Sequence, residues 1–303
     1  MQIYLPIAEM SVAIETIFLL GMFVGLISGV FGVGGGFLTT PLLIFMGIPP
    51  AVAVGTQGSQ LVASGLSGVM GYWRRGHVDF LVGTIMLIGG FFGTVIGIFF
   101  FQFIEMIGQI DLIVSLLYIV LLGSIGIMML FESVLTTFKK KTMKSEFNRL
   151  KSKSFISKLP YKMRFPRSKL YISVLVPGGI GVVSGFLVAT MGVGGGFLLV
   201  PAMIYILGMP PLLVAGTSLF QILFTSAFAT IMHASVSNSV DVFLALFLIL
   251  GGVIGAQVGV KMSHKVTGAK ARVILALLVL GVCSQLSVQL FLSPADLFVV
   301  AEQ

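Results

Sequence analysis

The chain has 303 residues, 57% of them hydrophobic and only 9% charged, with a mean hydropathy of +1.12. A soluble domain carries roughly 25% charged residues, so this composition excludes a water-soluble globular protein and makes lipid the solvent. The formal net charge of +8 suggests nucleic acid only until the charges are located, because all 18 Lys and Arg fall in three short polar stretches.

Five apolar segments come first, at about 12–31, 36–47, 51–72, 80–102 and 112–132. Most approach the roughly 20 residues that cross hydrocarbon at about 1.5 Å per residue. The run beginning near Val12 has nothing basic before it and reads as a retained helix, not a signal peptide. The second segment is short, follows Gly34-Gly35-Gly36 and ends at Pro49-Pro50, which predicts an interrupted or half-depth helix. A basic stretch follows, with twelve Lys and Arg between Lys139 and Lys169. Five more segments then come at 171–190, 196–208, 212–232, 242–260 and 273–292.

The second five repeat the first. Gly32-Val33-Gly34-Gly35-Gly36-Phe37-Leu38 recurs as Gly192-Val193-Gly194-Gly195-Gly196-Phe197-Leu198. Pro41 matches Pro201, Pro49-Pro50 matches Pro210-Pro211, Gly55-Thr56 matches Gly216-Thr217, and Gln60 matches Gln221. Val78-Asp79 matches Val240-Asp241, and Gly89, Gly93 and Gly97 match Gly251, Gly255 and Gly259. The offset drifts only from 160 to 162. The expected fold is an all-α polytopic membrane protein of 8–10 transmembrane helices in two repeats, 1–138 and 171–303, joined by a linker at 139–170.

Charge sets the expected orientation. If segments one to three of each half make an odd number of net crossings, the halves are inverted and the loops 73–79, 139–169 and 261–272 share one side. Those loops hold every basic residue: Arg74, Arg75, the linker set, Lys261, Lys265, Lys270 and Arg272. The positive-inside rule makes that side cytoplasmic and both termini external. The polybasic linker from Lys139 to Lys169 would attract anionic headgroups. It lacks the fold and the interleaved aromatics of a nucleic-acid binder.

Interrupted helices in inverted repeats hold substrate near the midplane. The first N–H groups of a helix lack internal acceptors and carry the positive end of its dipole. Helix starts at Gly35-Gly36-Phe37 and Gly195-Gly196-Phe197 could therefore aim two sets of donors at one anion. Thr56, Gln60, Ser64 and Ser67 fall on one face of the third segment, and Thr217, Gln221 and Thr225 repeat that face, with Gln57, Ser59 and Ser218 beside it. Such neutral donors suit an anion that must be released again. Helix–helix hydrogen bonding is the competing role for each, least so for Gln60 and Gln221. The small residues Gly21, Gly25 and Gly29, matched by Gly181, Gly185 and Ala189, predict close helix packing, as do the triplets at Gly89 and Gly251.

Other chemistry finds few residues. Asp79 and Asp241 at matched loop edges read as helix caps, and His77, His233 and His264 as solvated or interfacial loop residues. No His, Cys or carboxylate cluster has metal-ligand spacing, so neither metal nor cofactor is expected. Neither a Ser/His/Asp set at membrane depth nor an HExxH is present, so an enzyme is not expected. The glycine run lacks the strand and acidic partner of a dinucleotide fingerprint.

The two copies of GVGGGF-L-x-x-P, each followed by PP and GT, resemble the TauE/SafE family, the sulfite exporters, across roughly 20–135 and 175–290. The resemblance implies transport of a small sulfur-containing anion of the sulfite, sulfonate or sulfoacetate class across a bacterial plasma membrane. The expected mechanism is alternating access about a midplane site, and the expected direction is export. Its motif would place the site at Gly34–Gly36 with Thr56–Gln60, and at Gly194–Gly196 with Thr217–Gln221. The competing expectation is a non-transporting scaffold or accessory subunit acting through the basic linker.

Overall fold

The computed structural model describes residues 2–138, 160–262 and 269–292. Eight basic residues of the linker (139–159), together with His264 and Lys265, lie outside the described residues. Ten helices run through the rest. In the first half they are α1 (Ile14–Phe31), α2 (Gly36–Phe45), α3 (Pro50–Trp73), α4 (Phe80–Ile107) and α5 (Ile110–Phe138). In the second they are α6 (Leu175–Met191), α7 (Gly196–Ala202, continued by a wide turn over Met203–Leu207), α8 (Pro211–Met232), α9 (Val242–Met262) and α10 (Ala269–Leu292). Among the described residues, four stretches are long and apolar enough to cross a membrane: Ile14–Phe31, Phe80–Ile107, Pro211–Ser237 and Val242–Met262. Phe92, Phe99 and Phe103 stand exposed along α4, a wetted surface that only lipid would favour.

Two short antiparallel hairpins accompany the helices. One pairs β1 (Gln2–Leu5) with β2 (Met10–Ala13); the other pairs β3 (Lys162–Phe165) with β4 (Leu170–Ser173). They match at an offset of 160, Pro6 with Pro166 and Glu9 with Lys169, and both Glu9 and Lys169 take positive φ in the turn. The duplication thus reaches farther toward each half's start than the apolar pattern suggests. The second hairpin occupies ground assigned to the linker.

The halves interlock through small residues. Gly21, Gly25 and Gly29 of α1 lie against Leu248, Gly252 and Ala256 of α9, so these helices run parallel. Gly89, Gly93 and Gly97 of α4 lie likewise against Gly178, Val182 and Phe186 of α6. In each seam a Cβ would collide with the facing backbone, which is why glycine recurs every four residues. The matched third helices cross antiparallel, with Gly58 against Thr230, Gly65 against Leu223 and Gly68 against Leu219. α5 and α10 are also antiparallel, Gly123 facing Cys283 and Gly126 facing Leu280.

Two ends of the bundle are defined by hydrogen bonds. At one, Ile7 N donates to Asp241 Oδ2 at 3.1 Å, joining the first hairpin to the start of α9. At the other, Ser168 N donates to Asp79 Oδ2 at 3.1 Å and Arg75 Nη1 donates to Val260 O at 3.4 Å. The length of α9 separates these ends by about 30 Å, the thickness of a hydrocarbon core. α1 and α3 both run from the first end toward the second. α2 runs back between them: its start packs on Val24 in the middle of α1, and Leu43 and Ile48 near its end pack under the first hairpin. It is a half-depth helix of about 15 Å.

Candidate functional site

Each half breaks its first helix at a glycine. Gly32 ends α1 and Gly192 ends α6, both with φ of +68°. A left-handed residue that closes a helix is costly with any Cβ. The chain then turns back toward mid-depth and opens α2 at Gly36 and α7 at Gly196. The Leu38 and Thr39 amides close the first turn of α2 on Gly35 O, and Leu198 and Leu199 do the same on Gly195 O. Earlier amides of a helix have no intrahelical acceptor.

The two breaks meet. A Cβ on Gly36 would collide with Gly192 O, and one on Gly196 with Val33 O. Phe37 and Phe197, one residue into each half-helix, stack with ring centroids 5.0 Å apart and planes 20° apart. Both rings are buried. The motif residues Gly34–Phe37 and Gly194–Phe197 therefore form one junction.

The junction is closed. Leu61 and Ile222, matched residues one turn beyond Thr56 and Thr217, lie across it: Gly34 meets Ile222 and Gly194 meets Leu61. Both are buried. Two surface depressions lie away from the junction, one at Asp79, Phe80, Leu81, Pro166 and Arg167, another between Phe18 and Leu250.

The polar stripe divides into three roles. Thr56 and Thr217 are spacers between halves: Thr56 Oγ1 accepts from Asp241 N and Thr217 Oγ1 accepts from Asp79 N, each at 2.9 Å. Gln60 is a tie. Its Oε1 accepts from Thr39 Oγ1 at 2.9 Å and its Nε2 donates to Gly21 O at 3.2 Å, so both ends of the amide are taken by α2 and α1. Gln221, at the matched place, accepts from Ser184 Oγ at 3.4 Å through Oε1, while its Nε2 has no protein partner. Ser59 donates to Thr56 O one turn back in its own helix.

Gln57 and Ser218 face the breaks. Ser218 Oγ donates to Gly32 O at 2.7 Å, so α8 grips the first half's break. Gln57 lies at the corresponding place against Gly192 and Gly36, fully buried, and neither its Nε2 nor its Oε1 has a protein partner. A buried amide without partners costs roughly 1–3 kcal/mol, and such groups call for a ligand or water. Sequence alone ranks Gln60 and Gln221 above it; Gln60 makes one hydrogen bond at each end of its amide, whereas Gln57 makes none with the protein.

Two expectations about titratable residues resolve differently. Asp79 and Asp241 are caps: Asp79 Oδ1 accepts from Leu81 N and Val82 N, and Asp241 Oδ1 from Phe243 N and Leu244 N. His233 is not a solvated loop residue. It opens a wide turn after α8, is buried, points its ring Nε2 at Ala189 O at 2.9 Å and meets the Phe101 ring edge-on. The helix does not give way to a loop at Met232, because the wide turn over His233–Ser237 carries the coil on past it. Among the described residues, no group of three His, Cys, Asp or Glu gathers for a metal.

Comparison with known proteins fits this architecture. A family model described as sulfite exporter TauE/SafE matches residues 17–286. The probable membrane transporter protein YjnA of Bacillus subtilis is 30% identical over 76% of this chain and 82% of its own length. YunE of the same organism, also described as a probable membrane transporter protein, is 28% identical over 75% and 80%. An Arabidopsis thaliana protein described as sulfite exporter TauE/SafE family protein 6 is 32% identical over 26% of this chain and 18% of its own length. No solved structure matches. On a family match that spans both glycine breaks and nearly all the described helices, the chain belongs to the TauE/SafE family of membrane transporters.

Proposed function

We propose that the protein exports a small sulfur-containing anion of the sulfite, sulfonate or sulfoacetate class, bound at the junction of the two glycine breaks. The observation that carries this reading is Gln57, a fully buried amide without a protein partner beside Gly36 and Gly192. Its N–H groups would donate to an anion's oxygens together with the opening amides of α2. Thr56, Ser59 and Gln60, with Thr217, Ser218 and Gln221, shape and hold that junction. Gly34–Phe37 and Gly194–Phe197 supply its backbone.

The halves are read as inverted repeats, which the antiparallel crossing of the matched pairs α3/α8 and α5/α10 supports. Alternating access follows from that symmetry: one half rocks against the other, and Leu61 or Ile222 withdraws to admit solute. The closed junction is then the occluded stage of the cycle. The basic ends near Arg75, Arg167 and Lys261 would face the cytoplasm, with both termini outside.

The test is flux of radiolabelled sulfite, taurine and sulfoacetate in proteoliposomes, with and without a pH gradient. The reading requires at least one to move faster than in empty liposomes, and replacement of Gln57 by Leu to abolish the difference. Flux equal to empty liposomes for all three, or unaffected by that replacement, overturns it.

A further inference from the structure

The two hairpins form a duplicated device that the transport reading does not use. Leu5 in the first and Phe165 in the second occupy matched places at the ends of β1 and β3, and each is buried in the protein. Leu5 inserts among Ile17, Leu43, Ile48, Val52 and Leu248, over the tip of the α2–α3 pair. Phe165 inserts among Val82, Met86, Leu199, Met203 and Val214, over the tip of the α7–α8 pair, in a cluster that extends inward to Leu61 and Ile222. Apolar contact thus runs without a break from the second hairpin to the residues lying across the glycine junction.

Each plug is held by an aspartate of the opposite half. Asp241 uses Oδ1 to cap α9 and Oδ2 to accept from Ile7 N in the first hairpin. Asp79 uses Oδ1 to cap α4 and Oδ2 to accept from Ser168 N and the Ser168 hydroxyl in the second. The backbone N–H groups of the same aspartates bond Thr56 and Thr217, the residues directly before Gln57 and Ser218. At each end, hairpin, aspartate, threonine and break form one chain of contacts.

We infer that the two hairpins are the gates of the transport path, one at each mouth, and that Asp241 and Asp79 are their latches. The inference rests on the glycine junction being the substrate site. With both latches made, as here, Leu61 and Ile222 lie across the junction. Releasing the Ile7–Asp241 contact frees the first hairpin and the tip of α2–α3; releasing Ser168–Asp79 frees the second hairpin and the tip of α7–α8. A cap and a latch on separate oxygens of one carboxylate let a gate open without unwinding the helix that it rests on. Asp79 and Asp241 are positioning residues on this view, since neither reaches the junction.

The test separates latch from cap. Asp241→Asn keeps an oxygen for the helix amides but turns a donor toward Ile7 N. Asp79→Asn, combined with Ser168→Ala, does the same at the other end. With Cys283→Ser and Leu61→Cys, reaction of the new thiol with a membrane-impermeant anionic methanethiosulfonate is measured from each face of oriented vesicles. Asp241→Asn should raise the rate about tenfold from the face bearing the first hairpin only, as expected for loss of a charge-assisted hydrogen bond. Asp79→Asn with Ser168→Ala should raise it from the opposite face only. Leu5→Ala and Phe165→Ala, which shorten the plugs and leave both caps intact, should reproduce the two patterns and serve where an Asn variant does not assemble. Rates unchanged in all four, or raised equally from both faces, overturn the gates. Thiol reactivity is read without substrate, so face-specific gating in a protein that moves no sulfur anion would retain the gates and refute the assigned site.

Discussion

Ser218 Oγ donates to Gly32 O at 2.7 Å, so a hydroxyl of the second half holds the break in the first. The reciprocal place holds Gln57, which is longer by two heavy atoms and forms no such bond with Gly192. The duplication is therefore imperfect at the breaks: Gly35 has φ of −71° where Gly195 has +66°, and Ser218 is engaged where Gln57 is not. Both ends of the Gln57 amide are without a protein partner in the first half, whereas in the second only Nε2 of Gln221 is.

Gln57→Leu should separate function from stability. The replacement removes a buried amide that has no protein partner, so thermal unfolding in detergent should occur at the same temperature or higher. Anion flux in proteoliposomes should fall at least about tenfold, the worth of one charge-assisted hydrogen bond. A large drop in unfolding temperature with residual flux intact would reverse the assignment.

Gln60→Leu should do the opposite. It cuts the bonds to Thr39 Oγ1 and Gly21 O that tie α3 to α2 and α1. Hydrogen bonds between helices in membranes are worth about 0.6–1.7 kcal/mol each, so a loss of about 1–3 kcal/mol is expected. The readout is the unfolding midpoint and the yield of monodisperse protein, with flux per folded molecule reduced less than in the Gln57 variant.

The helical segments, the duplication and the half-depth character of α2 and α7 were legible because they rest on apolar run length and on glycine and proline, which act locally. Partner choice was not. Gln57, Gln60 and Gln221 are one residue type on one helix pair, and only the neighbours supplied by α1, α2 and α6 make one a tie and another free. His233 misled because a polar residue at the end of an apolar run reads as a loop, whereas Ala189 O offers it an acceptor inside the bundle. The hairpins escaped notice because each is four residues per strand with mixed polarity. The match of Pro6 with Pro166, at the same offset as the glycine motifs, was the signal present in the sequence.

Gly25→Val and Gly93→Val should fail to assemble. Gly25 abuts Gly252 and Gly93 abuts Val182, backbone to backbone, in the two parallel seams. A side chain there must push whole helices apart, which costs about 3 kcal/mol by overpacking alone. Gly179, beside the second seam but with nothing within 4 Å of an added Cβ, is the control: Gly179→Ala should leave yield and flux unchanged. Size-exclusion profiles of the three variants in one detergent decide the matter. A well-behaved Gly93→Val would mean that the α4/α6 seam is looser than its geometry.

Orientation follows from where the charges collect. Arg75 reaches Val260 O, Gly76 lies within 4.0 Å of Arg167 through an added Cβ, and Lys261 follows at the end of α9. The opposite end presents Glu9, Glu15 and Glu105. The excess of Lys and Arg on one side predicts that this side is retained in the cytoplasm. With Cys283→Ser as background, a cysteine at Gly108, an exposed residue with open space around it, should react with an impermeant maleimide on intact cells. A cysteine at Gly76 should react only after permeabilisation. Labelling of both in intact cells would remove the charge argument. Labelling of Gly76 alone would reverse the orientation and with it the face assigned to each hairpin.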